Sequence, residues 1–323
     1  MIPRRSLPVL AGLGLAAPGI ARAAFPERPL TMVIPFAPGG TTDLIGRAIA
    51  PEMSRLLGQA VVIEQRPGAG GHVGGAYVAN AAPADGHTFI LGSMSKSAGP
   101  SLQSLNYDPL AGLTPLGGAG AFPMLMLTSP EAPFRGVQDV VAAARRAPGT
   151  VTYASSGIGS GTHLVAELLA ATADIQMVHV PYRGAGAVYP DLISRRVDIT
   201  IANAGAAASH VRAGSVRALG ISTGERSQFF PDIPTFAEQG ITGFDFGLWL
   251  GFFTRSGTPL AAFARLEEAL VQAMATNTVQ EALRQSLAEP IPTDAAGFAA
   301  YFRADVERWA ALVRAGRLAR LDG

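Results

Sequence analysis

Two segments of this 323-residue chain combine glycine with hydroxyl-bearing side chains in the same arrangement, residues 35–43 (PFAPGGTTD) and 155–163 (SSGIGSGTH). Each follows a short apolar stretch and precedes a helical pattern. Glycine lets backbone N–H groups converge without a clash at Cβ, the positive end of a helix favours an anion, and hydroxyls add donors. We therefore expect two loops that hold a carboxylate between them. The alternative is that the glycines only form tight turns and the hydroxyls only cap helices.

Asp43 and His163 are the ionisable residues of these two segments. Asp43 either caps its helix in a structural role, or orients a water or accepts from a ligand amino group. His163 either holds its turn by bonding a loop carbonyl or donates to an anion. The remaining histidines lack metal-ligand spacing such as HExxH, so we expect no metal site.

The one enzyme motif that the sequence matches lacks the neighbouring structure that its chemistry requires. Residues 220–224 (GISTG) match the GxSxG pattern, in which Ser222 would be the nucleophile of an exported hydrolase. A nucleophile elbow must run directly into a helix, whereas Pro231 and Pro234 soon interrupt the chain. The dinucleotide pattern GxGxxG and the P-loop pattern are absent, and Lys96 is the only lysine available for Schiff-base chemistry. We therefore expect neither an enzyme nor a bound cofactor.

The composition favours a folded protein that does not bind nucleic acid. Hydrophobic side chains make up 48% of the chain and charged ones 15%, which is too apolar for a mainly disordered protein. The absence of cysteine excludes disulfides, thiolate metal ligands and thiol nucleophiles. A net charge of +1 argues against a nucleic-acid partner, because such proteins usually carry a basic surplus.

Residues 1–23 have the pattern of a secretory signal rather than of a folded element. Arg4 and Arg5 supply a positive start, residues 7–20 are mostly apolar, and residues 21–23 (ARA) give a small-x-small cleavage pattern. The apolar stretch is shorter than the ~20 residues that span a bilayer, and the alternative is an uncleaved anchor. The paired arginines also hint at the twin-arginine export route. We therefore expect an exported, soluble protein.

Regular elements must position the two glycine segments. Apolar stretches that alternate with helical periodicity predict two β/α cycles, one beginning at residue 30 and one after Pro123. From Pro259 onward the pattern predicts helices only, at 260–275, 279–287 and 294–315. We therefore expect an α/β fold of two similar lobes, each with a parallel sheet between helices.

Several phrases of the sequence, in their order and spacing, resemble the tripartite tricarboxylate transporter substrate-binding proteins, also called Bug proteins. The similarity runs in register from about residue 25 to about residue 314. The phrases are 35–43 (PFAPGGTTD), 61–75 (VVIEQRPGAGGHVGG), 84–93 (ADGHTFILGS), 154–169 (ASSGIGSGTHLVAELL), 178–199 (VHVPYRGAGAVYPDLISRRVDI), 216–223 (VRALGIST), 230–240 (FPDIPTFAEQG) and 257–270 (GTPLAAFARLEEAL).

This resemblance implies a periplasmic receptor of the two-lobe Venus-flytrap (periplasmic-binding-protein) architecture, with a mainly parallel sheet in each lobe. It implies residues 25–124 plus 246–323 in lobe one and residues 125–245 in lobe two. The implied function of this monomer is to capture a small di-, tri- or aromatic carboxylate and to deliver it to a membrane permease of the tripartite tricarboxylate transporter type. A sensory protein that presents its solute to a membrane kinase is the alternative that the sequence leaves open.

By the same resemblance, the ligand carboxylate is held largely by backbone groups and ordered waters of the two glycine loops. The end of the third strand and the segment 182–184 complete the pocket, and Asp198 begins a strand that contributes a residue from beneath. The implied ligand-binding residues are Phe36, Ala37, Gly39, Gly40, Thr41, Thr42, Asp43, Ser93, Ser95, Ser156, Gly157, Ile158, Gly159, Ser160, His163, Tyr182, Arg183, Gly184 and Asp198.

The sequence departs from the family pattern at three places. Arg195 and Arg196 stand where many relatives have a Gly-Gly pair, and residues 199–208 are smaller and less aromatic than the pattern. Lys96 follows the third strand, where it either enters the cleft or points to solvent. These departures bear on which acid is bound and not on the class of protein.

Overall fold

The computed structural model describes residues 25–321, which form two five-stranded sheets. From edge to edge, the first sheet comprises β2 (Val61–Gln65), β1 (Leu30–Ile34), β3 (Thr88–Ser93), β10 (Leu248–Arg255) and β4 (Leu113–Phe122). The second sheet comprises β7 (Val178–Pro181), β6 (Thr152–Ser155), β8 (Ile199–Asn203), β5 (Met124–Thr128) and β9 (Arg217–Ile221).

One strand in each sheet runs against the other four. In the first sheet β1 pairs in parallel with β2 and β3, whereas β10 is antiparallel to β3 and β4. In the second sheet β6 pairs in parallel with β7 and β8, whereas β5 is antiparallel to β8 and β9. The exceptions, β5 and β10, are the strands that the chain forms on entering a sheet from the other one. The expectation of two mainly parallel sheets is therefore confirmed.

Helices flank both sheets and bury apolar residues against them. In the first long helix Ile45, Ile49 and Met53 recur four residues apart, and they pack in one core with residues of β1 and β3. The helices are α1 (Thr41–Leu57), α2 (His72–Ala76), α3 (Ser95–Leu102), α4 (Pro109–Gly112), α5 (Val137–Arg146), α6 (Gly161–Ala173), α7 (Tyr189–Ile193), α8 (Ala204–Arg212), α9 (Leu260–Met274), α10 (Asn277–Gln285) and α11 (Ala295–Arg314). Short 3₁₀ turns at Ala69–Gly71 and Ala185–Ala187 and a π-helical turn at Tyr77–Ala81 complete the described elements.

The expected helices at the end of the chain are confirmed as α9, α10 and α11, but the strands β4 and β10 were not foreseen. Glycine and proline are depleted in strands, and β4 (LTPLGGAGAF) contains both. Its glycines have a packing role, because Gly117 and Gly118 lie directly against the carbonyls of Thr293 and Pro292. β10 (LWLGFFTR) is buried nearly throughout, so it lacks the alternation of polar and apolar residues that marks a half-exposed strand.

Ser222 is hydrogen-bonded to both of the segments by which the chain crosses between the sheets. Its hydroxyl donates to the carbonyl of Phe246, just before β10, and accepts from the N–H of Met124 in β5 at 3.1 Å. Ser222 is fully buried, and residues 222–247, all described, contain no helix. The GxSxG match therefore does not form a nucleophile elbow, and its serine has a structural role.

The signal predicted for residues 1–23 lies outside the described residues. In the part of the chain from 25 to 321, no helix combines the length and apolar character needed to cross a bilayer. The predicted lobe boundaries, 25–124 plus 246–323 and 125–245, stay a prediction. The strands of the first sheet span 30–122 and 248–255, and those of the second span 124–221.

Candidate functional site

A cleft lies between the two sheets, at the carboxyl ends of their parallel strands, where open α/β sheets place their ligands. Its inner chamber is lined by Phe36, Ala37, Gly40, Thr41, Thr42, Ser93, Ser156, Gly161, Thr162, Gly184, Ala185, Asn203, Ala206 and Leu248. Its outer chamber shares Phe36, Ala37, Ser156 and Gly184 and is further lined by Pro67, Gly68, Ala69, Gly70, Gly71, Gly157, Ile158, Pro181, Tyr182 and Arg183.

Three helices begin at the inner chamber. The start of α1 contributes residues 40–42, the start of α6 contributes residues 161–162, and α8 contributes its N-cap Asn203 together with Ala206. The first-turn N–H groups of a helix lack partners within it and carry the positive end of its dipole. Since α1 belongs to one sheet and α6 and α8 to the other, the chamber offers an anion donors from both sides.

Asn203 holds an unused donor at this chamber. The side chain is only 6% exposed, and its Oδ1 accepts from the N–H of Ala206 at 3.2 Å, which caps α8. Its Nδ2 is buried and has no hydrogen-bond partner among the described residues. A buried amide N–H without a partner is costly, so Asn203 is prepared to donate to a molecule in the chamber.

The second glycine loop is held in shape by its own hydroxyls. Thr162 Oγ1 accepts from the N–H of Ser156 at 2.9 Å and lies 3.0 Å from both Ser156 Oγ and Ser160 Oγ. Ser160 also accepts from the N–H of His163, as the N-cap of α6. Thr162 and Ser156 therefore face the chamber from a fixed loop, while Ser160 serves the helix behind it.

Asp43 stabilises the first glycine loop from behind and does not line either chamber. Its carboxylate accepts from Gly39 N at 3.1 Å, from Arg47 Nε at 3.0 Å and from Gln65 Nε2 at 3.0 Å. Burial alone would raise the pKa of Asp43, but the bonds from Arg47, Gly39 and Gln65 hold that pKa below its ordinary value. Asp43 thus has a structural role rather than a role in ligand contact, because its carboxylate is an anion that stabilises residues 39–43.

His163 fixes the second glycine loop through an N–H rather than through a carbonyl. Its Nδ1 accepts from Gly159 N at 3.0 Å, and its ring stacks on that of His179 at 3.9 Å between centroids. Burial, and then the neighbouring His179, lower the pKa of His163 to about 3, so the ring is neutral. The structure favours the alternative in which His163 holds its turn over donation to an anion, because its Nδ1 accepts from the loop and its ring does not line either chamber.

Most of the predicted site residues gather at the cleft. Twelve of the nineteen line one or both chambers, namely Phe36, Ala37, Gly40, Thr41, Thr42, Ser93, Ser156, Gly157, Ile158, Tyr182, Arg183 and Gly184. Six stand behind the lining and shape its loops, namely Gly39, Asp43, Ser95, Gly159, Ser160 and His163. Their assignment as ligand contacts is not supported by where the structure places them.

Asp198 is the one predicted residue that lies away from the cleft. Its carboxylate accepts from Thr152 N and Thr152 Oγ1, each at 2.8 Å, beside a separate surface depression. Asp198 precedes β8 and so lies at its amino end, whereas the cleft is at the carboxyl ends. The residue that this strand brings to the chamber is Asn203, at its other end. The rule that a ligand meets the carboxyl ends of strands is the signal in the sequence that points to Asn203, which ends β8.

The two sides of the outer chamber touch each other. A methyl group added to Gly70, which has φ +61°, would come within 2.4 Å of the carbonyl carbon of Gly159 and 2.6 Å of the carbonyl oxygen of Ile158. Gly70 follows β2 of the first sheet, and Ile158 and Gly159 follow β6 of the second. Only glycine permits this approach of backbone to backbone, so the described state is one in which the cleft is closed.

A metal does not account for this arrangement. Across residues 25–321 no three His, Asp or Glu side chains stand close enough together to hold a metal ion. The inner chamber offers hydrogen-bond donation from backbone, hydroxyl and amide groups, and the outer chamber adds the exposed guanidinium of Arg183.

The chain is similar in sequence to a known protein family and to several of its members. The model of a family described as "Tripartite tricarboxylate transporter family receptor" matches residues 45–318. A Pseudomonas sp. (strain P51) protein from the tcbD-tcbE intergenic region is 37% identical over 317 residues, which cover 96% of this chain and 94% of the relative. Protein BugT of Bordetella pertussis is 34% identical over 311 residues, or 94% of each chain.

Solved structures of similar proteins share the fold over nearly the whole chain. The periplasmic binding protein BugD is 30% identical, with a TM-score of 0.84, over 92% of this chain and 100% of its own. An R. palustris protein solved with adipate is 32% identical, with a TM-score of 0.84, over 92% and 100%. MatC from Rhodopseudomonas palustris, solved with bound malate, is 32% identical, with a TM-score of 0.84, over 90% and 100%.

Proposed function

This chain belongs to the tripartite tricarboxylate transporter receptor family, and on that premise we propose that it captures a small carboxylate in the cleft between its two sheets. It acts in the periplasm, after export directed by residues 1–23, and delivers the acid to a membrane permease. The protein contributes recognition and closure rather than catalysis.

The observation that supports this proposal is the meeting of three helix starts with the unpaired Asn203 Nδ2 on a chamber whose lining includes no charged side chain. Positive helix ends and N–H donors favour an anion and disfavour a cation. Recognition by fixed dipoles leaves the carboxylate charged without requiring an ion pair. The shape of the walls, including Phe36 and Leu248, then selects among acids.

The energetics of hydrogen bonding are consistent with capture by closure. Charge-assisted hydrogen bonds contribute about 1.5–3 kcal/mol each, so four of them give about 6–12 kcal/mol before association and ordering remove several. A micromolar Kd requires about 8 kcal/mol net, so apolar contacts must contribute as well. Because the donors are divided between the two sheets, the ligand engages all of them only in the closed state and so favours it.

Dicarboxylates are the first acids to test. Malate is bound in MatC and adipate in the R. palustris neighbour, and both are short dicarboxylates. We infer that one carboxylate of such an acid occupies the inner chamber and that its chain extends toward the outer chamber. There Arg183 is exposed and stands in the lining, where it serves as a second, solvated partner.

The binding test uses the purified chain without residues 1–23. Native mass spectrometry is expected to reveal a co-purified small acid, and calorimetry is expected to show binding of malate or adipate. The matched controls are the corresponding diamides, which keep the shape and lose the charge and are expected not to bind. Binding of the diamides with equal affinity, or of no acid from a panel of di-, tri- and aromatic carboxylates, contradicts the proposal.

The delivery test is made in cells. Removal of the gene is expected to abolish uptake of the radiolabelled acid that the purified protein binds, and restoring the gene is expected to restore uptake. Unchanged uptake without the gene would separate binding from transport and refute the delivery step.

A further inference from the structure

Lys96, the only lysine of the chain, is fully buried in the first turn of α3. Its Nζ donates to the carbonyl of Gly71 at 2.9 Å and to Ser95 Oγ at 3.3 Å. Among the ion pairs of residues 25–321, none includes Lys96. Burial of an ammonium without a counter-charge is costly, and the positive end of α3 adds to that cost. The fold therefore buries this amine without an anion paired to it among the described residues. Neither expected position, in the cleft or in solvent, is correct.

Both partners of Lys96 connect it to the cleft. Gly71 lines the outer chamber. Ser95 Oγ lies 3.2 Å from Ser93 Oγ, and Ser93 lines the inner chamber. A chain of two hydrogen bonds thus runs from the ammonium to a hydroxyl at the chamber wall.

We propose that the Lys96 ammonium is the buried counter-charge of the bound carboxylate, a positioning residue that acts through Ser95 and Ser93 without touching the ligand. This inference rests on the proposed function of the cleft. A protonated lysine can only donate, so Ser95 Oγ accepts from it and directs its own proton to Ser93. Ser93 is then left to donate into the chamber, where a carboxylate oxygen accepts.

Three other titratable groups face this cluster. His72 Nδ1 lies 3.0 Å from the hydroxyl of Tyr107, and burial, and then the charge of Lys96, lower the pKa of His72 to about 2. Burial raises the pKa of Tyr107. Asp305 of α11 accepts from Ser97, the residue that follows Lys96 in α3. Burial lowers the pKa of Lys96 to about 7, so Lys96 changes its charge near neutrality while His72 and Tyr107 stay uncharged there. A bound anion favours the charged form of Lys96, so binding of the acid is expected to be accompanied by uptake of a proton at Lys96. The affinity for the acid is therefore expected to fall as the pH rises.

The single lysine permits a direct test in the unmutated protein. Lysine labelled with ¹³C at Cε gives one NMR signal, whose titration between about pH 6 and about pH 10 reports the protonation of Lys96. Saturating malate or adipate is expected to raise the midpoint by about one pH unit or more. A midpoint unchanged by an acid that binds overturns the inference and leaves the proposed function intact. Failure of every acid to bind overturns the proposed function, and this inference with it.

Two variants test the route by which the charge acts. In the native protein, a shift of about one pKa unit weakens acid binding about fivefold to tenfold from pH ~6.5 to pH ~8.5. Lys96→Met, which keeps the length of the side chain, is expected to bind weakly at both pH values with no such change. Ser95→Ala, which keeps the charge and cuts the chain, is expected to lose the pH dependence as well. A native profile in Lys96→Met overturns the inference, and a native profile in Ser95→Ala overturns the route through Ser95 and Ser93.

Discussion

Gly70→Ala is expected to block closure of the cleft while leaving the fold intact. The added methyl would lie 2.4 Å from the carbonyl carbon of Gly159, about 1 Å inside ordinary contact, and backbone atoms on both sides limit how far it can be relieved. Overpacking of this kind costs about 1–3 kcal/mol. This cost applies only in the closed state, in which the two sides of the outer chamber are in contact. Carboxylate affinity is therefore expected to fall about 5-fold to 150-fold.

Gly149→Ala is the matched control for this change. Gly149 has φ +72°, close to the φ +61° of Gly70, and a methyl group there would meet nothing within 4 Å. Alanine in this left-handed conformation costs about 1 kcal/mol at either position, so both variants are expected to lose similar stability in urea. In calorimetry with the acid that the native protein binds, only Gly70→Ala is expected to lose affinity. Equal affinity of the two variants would refute the conclusion that the cleft closes on its ligand by contact between Gly70 and residues 158–159.

Three further outcomes are expected. Asn203→Asp keeps the oxygen that caps α8 and replaces the free donor by a negative charge, so calorimetry should show at least about tenfold weaker acid binding; unchanged affinity would remove Asn203 from the site. Thr42→Val removes one hydroxyl at the inner chamber and is expected to weaken binding by about 1 kcal/mol, or about fivefold, while urea unfolding changes little; a loss of fold instead would show a structural role. Burial lowers the pKa of Lys96 from 10.5 to about 7, so the unfolded chain binds that proton more tightly and stability should rise by about 2 kcal/mol from pH ~7 to pH ~9 relative to Lys96→Met; parallel urea-unfolding profiles of the two proteins would contradict the burial of an unpaired ammonium.

The sequence was sufficient to predict the class of fold and the two glycine loops, because both depend on local signals. A strand, a glycine turn and a helix follow one another directly at residues 30–57 and 152–173. The periodicity of the apolar residues and the positions of the glycines therefore predict these elements without knowledge of the tertiary contacts. Strand β10 cannot be predicted from local patterning, because a segment buried on both sides has no alternation of polar and apolar residues.

The site was predicted less completely because a side chain's direction depends on partners distant in sequence. His163 lies in the predicted loop, but its ring is turned away by the N–H of Gly159 and by stacking on His179. Asp198 and Asn203 stand at opposite ends of β8, and only the end that faces the cleft is useful for binding. Lys96 is buried, and the carbonyl that accepts from its Nζ belongs to Gly71, 25 positions earlier in the chain.

The decisive measurement is a crystal structure of the protein with its bound acid. A carboxylate is expected in the inner chamber, within hydrogen-bond distance of Asn203 Nδ2 and of donors at the starts of both α1 and α6. Density for the acid outside this chamber, or contacts to one sheet only, would contradict it.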